Sequence, residues 1–325
     1  MSSKSPLVMA IDGGGTKTTL AFADPAGEIV FRAQGASSNP MDNVNWRSNL
    51  SDLFDSAGSL PAAVTHAVFG FPGFGEILRF DESMSAAATE LFSGPFTVKN
   101  DVEMALDGAF CDRSGVLLLA GTGSMAMARD AEGTVHRVGG WGDIFGDEGS
   151  AYWIGREALS NASQAVDGRL NAPGFAQAIL HGLGLDIHNG YHALMGWCYE
   201  SKHIRSTVAG VAPIVDVLAR SGDPTALSIL RRAADYLSAH LDALLNRVEA
   251  SYDRRWSFAG GVFESAIVAS DLESRHGEAQ PPRLIPVAGG LWRAAKEAMC
   301  PIDEAWIATL AESSDRHPTG STAPS

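Results

Sequence analysis

The stretch that decides the fold is "VMAIDGGGTKTTLAFADPAGEIVFRAQG", residues 8–35. In it an apolar run ends at an aspartate, and a glycine loop with Thr and Lys follows. A Walker-type loop needs the spacing G-x-x-x-x-G-K-[ST] and a helix after it, and this stretch has neither. The residues after the loop are rich in Thr, Phe, Ile and Val and are interrupted by "DPAG", a turn signature. We therefore predict three consecutive strands, with the glycine loop joining the first two as an antiparallel pair.

The same pattern recurs in "GVLLLAGTGSMAMARDAEGTVH", residues 115–136. Gly15 and Gly121 are 106 positions apart, and so are Asp24 and Asp130. A constant offset through loop, strand and turn indicates two copies of one three-stranded unit. The alternative is a chance similarity between two glycine-rich hairpins, since hairpins share turn chemistry.

Length and composition fit a protein of two domains. The chain has 325 residues, of which 45% are hydrophobic, and a net charge of −14. We predict domains at 1–113 and 114–310, followed by a disordered tail at 311–325. The acidic balance argues against a nucleic-acid partner, because phosphate neutralisation needs clustered Lys and Arg. The sequence contains no long apolar run, so we expect no membrane association and a cytoplasmic location.

A second candidate stretch is "FTVKNDVEMALDGAF", residues 96–110. An apolar strand ends at "KND", and a helix begins there. Asn100 or Asp101 could serve as the helix N-cap, or Asp101 could be a functional carboxylate held rigidly at a strand end. The residues alone leave both possibilities open. We expect Asp107, further along this helix, to lie on a solvated face.

Two glycine-rich segments follow in the predicted second domain. "AGTGSM", residues 120–125, is an uncharged loop, and "GGWGDIFGDEGSAYWIGREAL", residues 139–159, runs into a predicted helix. The second segment has five glycines within eleven residues, more than a helix cap by Ser150 or Asp147 requires.

One further glycine pair is a candidate nucleotide contact. "RWSFAGGVFES" predicts a strand, then Gly260-Gly261, then a helix. "PVAGGLW", residues 286–292, has nearly the same pattern, so the glycine pair alone does not decide between the two.

These stretches, in this order, resemble the sugar kinase, Hsp70 and actin superfamily. They are most similar to N-acetylglucosamine kinases and the related BadF/BadG/BcrA/BcrD-type ATPases, from Asp12 to about residue 300. The resemblance implies an α/β protein of two ribonuclease H-like (actin-like ATPase) domains. Each domain would hold a mixed five-stranded sheet flanked by helices, with a cleft between the domains. It also implies ATP and Mg²⁺ as cofactors and a homodimer as the assembly.

The resemblance also assigns roles to residues of this chain. Asp101 would be the catalytic base, and Asp12 would hold Mg²⁺, since hard cations take oxygen ligands. Backbone N–H groups, hydroxyls and one lysine would hold the nucleotide. This nucleotide set comprises Asp12, Gly14, Gly15, Thr16, Lys17, Thr18, Gly121, Thr122, Gly123, Gly260 and Gly261.

The sugar contacts are assigned in the same way. They are expected at Asn39, Asn100, Asp101, Ser124, Trp141, Gly142 and Asp147. Met125 departs from the pattern, because the N-acetylglucosamine kinases have a sugar-contacting asparagine there. That difference puts N-acetylglucosamine itself in question as the substrate. The role of Glu148 stays open between the metal and the helix cap.

The function that we expect is ATP-dependent phosphorylation of a hexosamine. One alternative is an ATPase that activates a partner enzyme, whose relatives in the superfamily carry an iron–sulfur cluster on paired cysteines. Cys111, Cys198 and Cys300 lack that pairing. Another alternative is a non-catalytic sensor of sugar or nucleotide.

Overall fold

The described chain forms two compact units. The first comprises Met1–Arg113 and Pro281–Ser325, and the second comprises Ser114–Gln280. Residues 281–310 therefore pack with the first unit, whereas the sequence analysis placed them in the second domain. The structure, a computed structural model, describes residues 5–15, 17–41, 43–130, 132–201, 204–248 and 255–316, except the side chain of residue 187.

In the described residues each unit begins with three consecutive strands, which are followed by helices and further strands. The strands are β1 (Leu7–Gly13), β2 (Lys17–Ala23), β3 (Ile29–Ala36), β4 (Val64–Phe71), β5 (Phe96–Asn100), β6 (Gly115–Ala120), β7 (Ser124–Arg129), β8 (Val135–Gly139) and β9 (Trp256–Ala259). The helices are α1 (Trp46–Asp55), α2 (Leu78–Leu91), α3 (Asp101–Phe110), α4 (Ala151–Val166), α5 (Pro173–Gly182), α6 (Gly190–Glu200), α7 (Ile204–Ala209), α8 (Ala212–Arg220), α9 (Pro224–Leu245), α10 (Ala266–His276), α11 (Pro286–Glu297) and α12 (Glu304–Arg316). Among the described residues no helix has both the length and the apolar composition to cross a bilayer.

The first unit contains a mixed five-stranded sheet in the order β3-β2-β1-β4-β5, as predicted. β1, β2 and β3 form an antiparallel meander, with the glycine loop between the first two. β4 and β5 lie parallel to β1 and are reached through connections that contain α1 and α2. Nearly all of β1 is buried, as expected for a central strand with a covered sheet on both sides.

The second unit repeats the meander as β6, β7 and β8. Its closing turn matches that of the first unit in detail. Asp24 accepts a hydrogen bond from the backbone N–H four residues later (3.0 Å), and Asp130 does the same (2.7 Å). Gly27 and Gly133 have the same left-handed φ of 88°. The predicted internal repeat is therefore present in the strand pairing and in the turn.

The second sheet has four strands in the described residues, in the order β8-β7-β6-β9, so the predicted fifth strand is not confirmed there. After α10 the chain returns to the open edge of β9, where the Gln280 N–H bonds to the Trp256 carbonyl (2.9 Å). The next two residues are Pro281 and Pro282. Prolines have no N–H to donate, so a strand cannot continue along this edge.

Helices α3 and α11 pack closely in the first unit. A Cβ on Gly289 would lie 2.5 Å from the Gly108 nitrogen and 2.5 Å from the Met104 carbonyl oxygen. Gly290 packs on β1 in the same way, since a Cβ placed on it would lie 2.8 Å from the Ala10 Cβ. The second glycine pair noted in the sequence therefore serves helix packing. This close contact explains why residues after 281 join the first unit.

Asp107 is buried, so the expectation of a solvated face is wrong. Its side chain is 0% exposed and accepts hydrogen bonds from Arg293 of α11 at 2.6 and 3.0 Å. Lys99 at the end of β5 lies 3.2 Å from the same carboxylate. Two cations thus compensate one buried anion and tie α3 to both β5 and α11.

The disordered tail predicted at residues 311–325 begins too early, because its first residues are helical. α12 continues through Arg316, with Trp306, Ile307 and Leu310 buried in the core of the first unit. Ser313 accepts a hydrogen bond from the backbone N–H of Ile29 in β3 (2.9 Å). The polar composition concealed a helix whose apolar residues fall on one face. Residues 317–325 lie outside the described residues.

The buried Asp107 network yields a stability prediction. Replacing Asp107 with Asn leaves the Arg293 guanidinium without its buried anion and, among the described residues, leaves Lys99 paired with Glu103 alone, and we expect a loss of about 3 kcal/mol in the free energy of unfolding. The matched control is Asp112→Asn, which removes an exposed ion pair with Lys296 and should cost at most about 1 kcal/mol. Urea unfolding followed by circular dichroism measures both. Equal, small shifts in the two variants would contradict a structural role for Asp107.

Candidate active site

The carboxyl ends of β1, β4 and β5 meet at one edge of the first sheet. Asp12 of β1 is paired with Gly70 of β4, and Phe71 of β4 is paired with Asn100 of β5. Because the three strands are parallel, the residues that end them lie side by side. Asp101, the first residue of α3, follows immediately, and its Cα lies 3.5 Å from the position of a Cβ on Gly70. Strand register thus brings Asp12 and Asp101 to the same edge.

The electrostatics of these two carboxyl groups are unusual. Burial raises the pKa of Asp12 to about 7, against the opposing charges of Lys17 and Arg32. Burial, together with the negative charges of Asp12 and Glu76, raises the pKa of Asp101 to about 7, against a backbone hydrogen bond from Val102. Two carboxylates at a desolvated strand edge need a proton or a cation nearby.

The first glycine loop, residues 13–17, stands directly after Asp12. A Cβ on Gly13 would lie 2.6 Å from the Ser38 Oγ and 2.8 Å from the Gly70 carbonyl oxygen, so only glycine fits there. Ser37 donates a hydrogen bond to the Gly14 carbonyl (2.9 Å). These contacts hold the base of the loop against the strand edge.

The tip of this loop is open to solvent. Gly15 and Lys17 are exposed, and among the described residues other than its chain neighbours no heavy atom lies within 4 Å of a Cβ placed on Gly15. Thr18 is buried at the start of β2, and its Oγ1 has no hydrogen-bond partner among the described residues. Thr16, predicted to bind nucleotide, lies outside the described residues. The loop therefore offers an accessible backbone and one ammonium group at its tip.

Asn100 is the N-cap of α3, one of the two possibilities that the sequence left open. Its Oδ1 accepts from the Val102 N–H (2.9 Å), and its Nδ2 donates to the Phe74 carbonyl (3.0 Å). Nδ2 also lies 3.4 Å from the Glu76 carboxylate. The cap fixes the start of α3 and hence the position of Asp101.

Glu76 is a residue of this edge that the sequence analysis missed. It ends the stretch "FGFPGFGE", residues 69–76, which begins at the end of β4 and is not among the site stretches predicted above. Its charge contributes to the raised pKa of Asp101. The sequence pattern that could have indicated Glu76 is a glutamate at the end of a glycine-rich stretch after a buried strand.

Asn39 lies buried in the loop that packs on the first glycine loop. Its Oδ1 accepts from the Met41 N–H (3.0 Å), which forms a local turn. Its backbone N–H donates to the Ser37 Oγ (3.2 Å), the hydroxyl that also holds Gly14. The structure therefore places Asn39 close to the glycine loop.

The donor set at this edge fits a magnesium ion. Asp12 supplies carboxylate oxygens, and Mg²⁺ is commonly held by one or two carboxylates together with waters and substrate phosphates. Among the described residues no group of three or more His, Cys, Asp and Glu forms a metal centre by itself. A metal bound by Asp12 would therefore complete its coordination with phosphate oxygens and water.

The second unit places its own predicted residues together around the second glycine loop, residues 121–123. The Gly121 N–H bonds to the Gly123 carbonyl (2.9 Å), and the Ala151 N–H at the start of α4 bonds to the Gly121 carbonyl (2.8 Å). Gly260 has φ 103°, and a Cβ on it would overlap the Ala120 carbonyl. Gly260 thus lets the end of β9 lie against this loop, with Gly261 opening the next helical turn.

Asp147 is buried beside the same loop with a left-handed φ of 54°. Its Oδ1 accepts from the Ser124 N–H (3.1 Å), and its Oδ2 lies 2.5 Å from Nη2 of Arg205. The Ser124 hydroxyl donates to the Glu148 carbonyl (2.7 Å). Ser150, rather than Asp147, is the N-cap of α4.

The glycine segment 139–142 lies over Met125. Gly139, Gly140 and Gly142 all have left-handed φ, which explains the cluster of glycines. A Cβ on Gly140 would lie 2.5 Å from the Met125 Cε, so the thioether fills the space beneath this segment. Trp141 is exposed at its tip.

The sequence matches a known protein family over most of its length. The profile of the BadF/BadG/BcrA/BcrD ATPase family matches residues 10–289. The N-acetylmuramic acid/N-acetylglucosamine kinase of Clostridium acetobutylicum is 34% identical over 154 residues, which are 47% of this chain and 49% of that protein. This match thus spans about half the length of that relative.

Longer matches extend the similarity. The N-acetyl-D-glucosamine kinase of Dictyostelium discoideum is 26% identical over 296 residues, covering 83% of this chain and 89% of that protein. Among solved structures, a candidate N-acetylglucosamine kinase from Chromobacterium violaceum superposes with a TM-score of 0.74 at 24% identity. It covers 88% of this chain and 98% of that one, and so shares the α/β fold.

The close approach at Gly260 yields a prediction. Gly260→Ala forces a Cβ onto the Ala120 carbonyl at a left-handed φ, and we expect a loss of about 2 kcal/mol in stability. Gly261→Ala is the matched control, because among the described residues its Cβ would meet only the Glu264 Oε1, at an ordinary 4.0 Å. Thermal unfolding of the two variants makes the comparison. Unfolding of both variants at the wild-type temperature would contradict the close contact between β9 and the second glycine loop.

Proposed function

Because this chain belongs to the BadF/BadG/BcrA/BcrD ATPase family, we propose that it is an ATP-dependent sugar kinase. It transfers the γ-phosphoryl group of ATP to a hydroxyl of a hexosamine, such as N-acetylglucosamine, glucosamine or a close relative. The observation that carries the proposal is the pair of carboxyl groups, Asp12 and Asp101, at the carboxyl ends of β1 and β5.

Asp101 is proposed as the general base. A base works best when its pKa lies near the working pH, and burial with neighbouring charge brings the pKa of Asp101 to about 7. The Asn100 cap and the Asp107 network hold α3, so the carboxylate is oriented before substrate arrives. Asp101 accepts the proton of the sugar hydroxyl as that oxygen attacks the γ-phosphorus.

The nucleotide contacts are proposed in each unit separately. The backbone of Gly14 and Gly15 and the ammonium of Lys17 bind phosphoryl oxygens, since successive N–H groups in a loop form an anion site. In the second unit the backbone of residues 121–123 has the same role, and Gly260 and Gly261 lie against the adenosine. Mg²⁺, held by Asp12, would neutralise the charge that develops on the phosphoryl oxygens.

The sugar is proposed to contact Asn39, Asn100, Ser124, Trp141, Gly142 and Asp147. Met125 presents a buried thioether where N-acetylglucosamine kinases have an asparagine. Loss of a polar partner in a sugar pocket changes the preference between substrates by a large factor. We therefore expect the acyl substituent at C2 to be recognised differently in this protein. A homodimer is proposed on the family resemblance.

The direct test is an ADP-release assay over glucosamine, N-acetylglucosamine, N-acetylmuramic acid, N-acetylmannosamine and glucose. We expect at least one amino sugar to raise turnover well above the basal ATPase rate. Asp101→Asn should lower sugar-dependent kcat by about 10²- to 10⁴-fold, since it removes the proton acceptor. The affinity for ATP should change little.

The matched control is Asp52→Asn, which changes an exposed aspartate on α1 of the same unit. It should keep the wild-type kcat. Wild-type turnover in Asp101→Asn would exclude Asp101 as the base. Sugar binding without any ADP release by the wild type would indicate a sensor instead of a kinase.

A further inference from the structure

An arginine from α7 lies against the second glycine loop. A Cβ placed on Gly123 would be 2.8 Å from Nη2 of Arg205. Arg205 is remote from this loop in sequence and belongs to none of the stretches that suggested a nucleotide site. The guanidinium therefore reaches the loop only through the fold of the second unit.

Asp147 fixes this arginine in place. Its Oδ2 lies 2.5 Å from Nη2 of Arg205, while its Oδ1 accepts from the Ser124 N–H at the end of the same loop. The Asp147 side chain is 3% exposed, and that of Arg205 is 32% exposed. One buried carboxylate thus holds the backbone of the loop and the guanidinium at a set separation.

The guanidinium retains donors for a further ligand. An arginine carries five N–H donors, and the contact with Asp147 engages Nη2. Its Nε is buried and has no hydrogen-bond partner among the described residues. Since a third of the side chain reaches solvent, a solute can approach the remaining donors.

The chemistry of the loop selects an anion as that ligand. Residues 121–123 are Gly, Thr and Gly and carry no charge, in contrast to the first glycine loop with Lys17. Backbone N–H groups beside a guanidinium form a site for phosphate or carboxylate oxygens, and the planar fork of arginine favours such oxygens.

We propose that Arg205, held by Asp147, binds phosphoryl oxygens of ATP at the second glycine loop. This inference rests on the proposed kinase function and adds a residue to it. Arg205 supplies the positive charge that the loop lacks, and Asp147 acts as its positioning residue. The other source of the same chemistry is a carboxylate on an acidic sugar, which the test distinguishes.

The test compares the binding of ATP, ADP and adenosine to the full chain by calorimetry. We expect Arg205→Met to raise the Kd for ATP at least tenfold and to change the Kd for adenosine less than twofold. Arg205→Lys should recover part of the loss, because it keeps the charge without the planar fork. Arg220→Met is the matched control, since it removes an exposed arginine from α8 of the same unit and should bind like the wild type.

Folding of the variants is controlled separately. Arg205→Met leaves the buried Asp147 carboxylate without its cation, so the double variant Asp147→Asn/Arg205→Met removes both charges. Thermal unfolding compares the stability of the single and the double variant. The double variant should lose as much affinity for ATP as Arg205→Met does.

Three outcomes would overturn the proposal. In the first, both Arg205 variants bind ATP as the wild type does. In the second, ATP and adenosine weaken equally, which indicates a general disturbance of the site. In the third, the Kd for ATP is unchanged but KM rises for N-acetylmuramic acid and not for glucosamine, which assigns Arg205 to a sugar carboxylate. Failure of the wild type to phosphorylate any sugar, with the expected ATP effects intact, would refute the kinase function and leave Arg205 as a nucleotide contact.

Discussion

The parallel pairing of β1, β4 and β5 is the constraint on which the proposed chemistry depends. It ends three strands at one edge, so that Asp12 and Asp101 meet there although they are far apart in sequence. A slip of one residue in the β1–β4 pairing would turn the Asp12 side chain to the other face of the sheet, and a slip in the β4–β5 pairing would displace Asn100 and the start of α3. The buried network at Asp107 and the cap at Asn100 hold the helix that follows. Fold and site are therefore linked through the register of one sheet.

The two units use the same meander with different sources of charge. In the first unit the glycine loop connects Gly13 to Thr18 and carries its own lysine. In the second unit the loop connects Ala120 to Ser124 and is one residue shorter, with no charged residue. An arginine from α7 lies beside it instead. The first loop has its own lysine, and the second loop has the arginine of α7 beside it. Each loop would therefore place a positive charge next to a bound anion.

Local sequence predicted those features that depend on local chemistry. The Thr- and Val-rich segments, the two Asp-x-x-Gly turns and the start of α3 at "KND" are each determined by residues a few positions apart. The meander of β1, β2 and β3 followed from them, whereas the five-stranded sheet was expected from the family resemblance. The features that were missed depend on contacts between distant segments. Asp107 is buried because Arg293 and Lys99 reach it, and residues 311–316 are helical because α12 packs on β3. Tertiary structure brings Glu76 near Asn100 and Asp101 and brings Arg205 to the second glycine loop, and the sequence spacing alone does not show either contact.

The most direct test of this account is the titration of the Asp101 carboxyl group. It can be followed by NMR of protein labelled with ¹³C at the aspartate carboxyl carbons and assigned with Asp101→Asn. In the nucleotide-free protein the account predicts a pKa of about 7 for Asp101. It also predicts a lower pKa in Asp12→Asn, because removal of a neighbouring negative charge favours ionisation. A pKa near the ordinary 3.8 in the wild type, unchanged in Asp12→Asn, would contradict a desolvated pair of carboxylates at the strand edge.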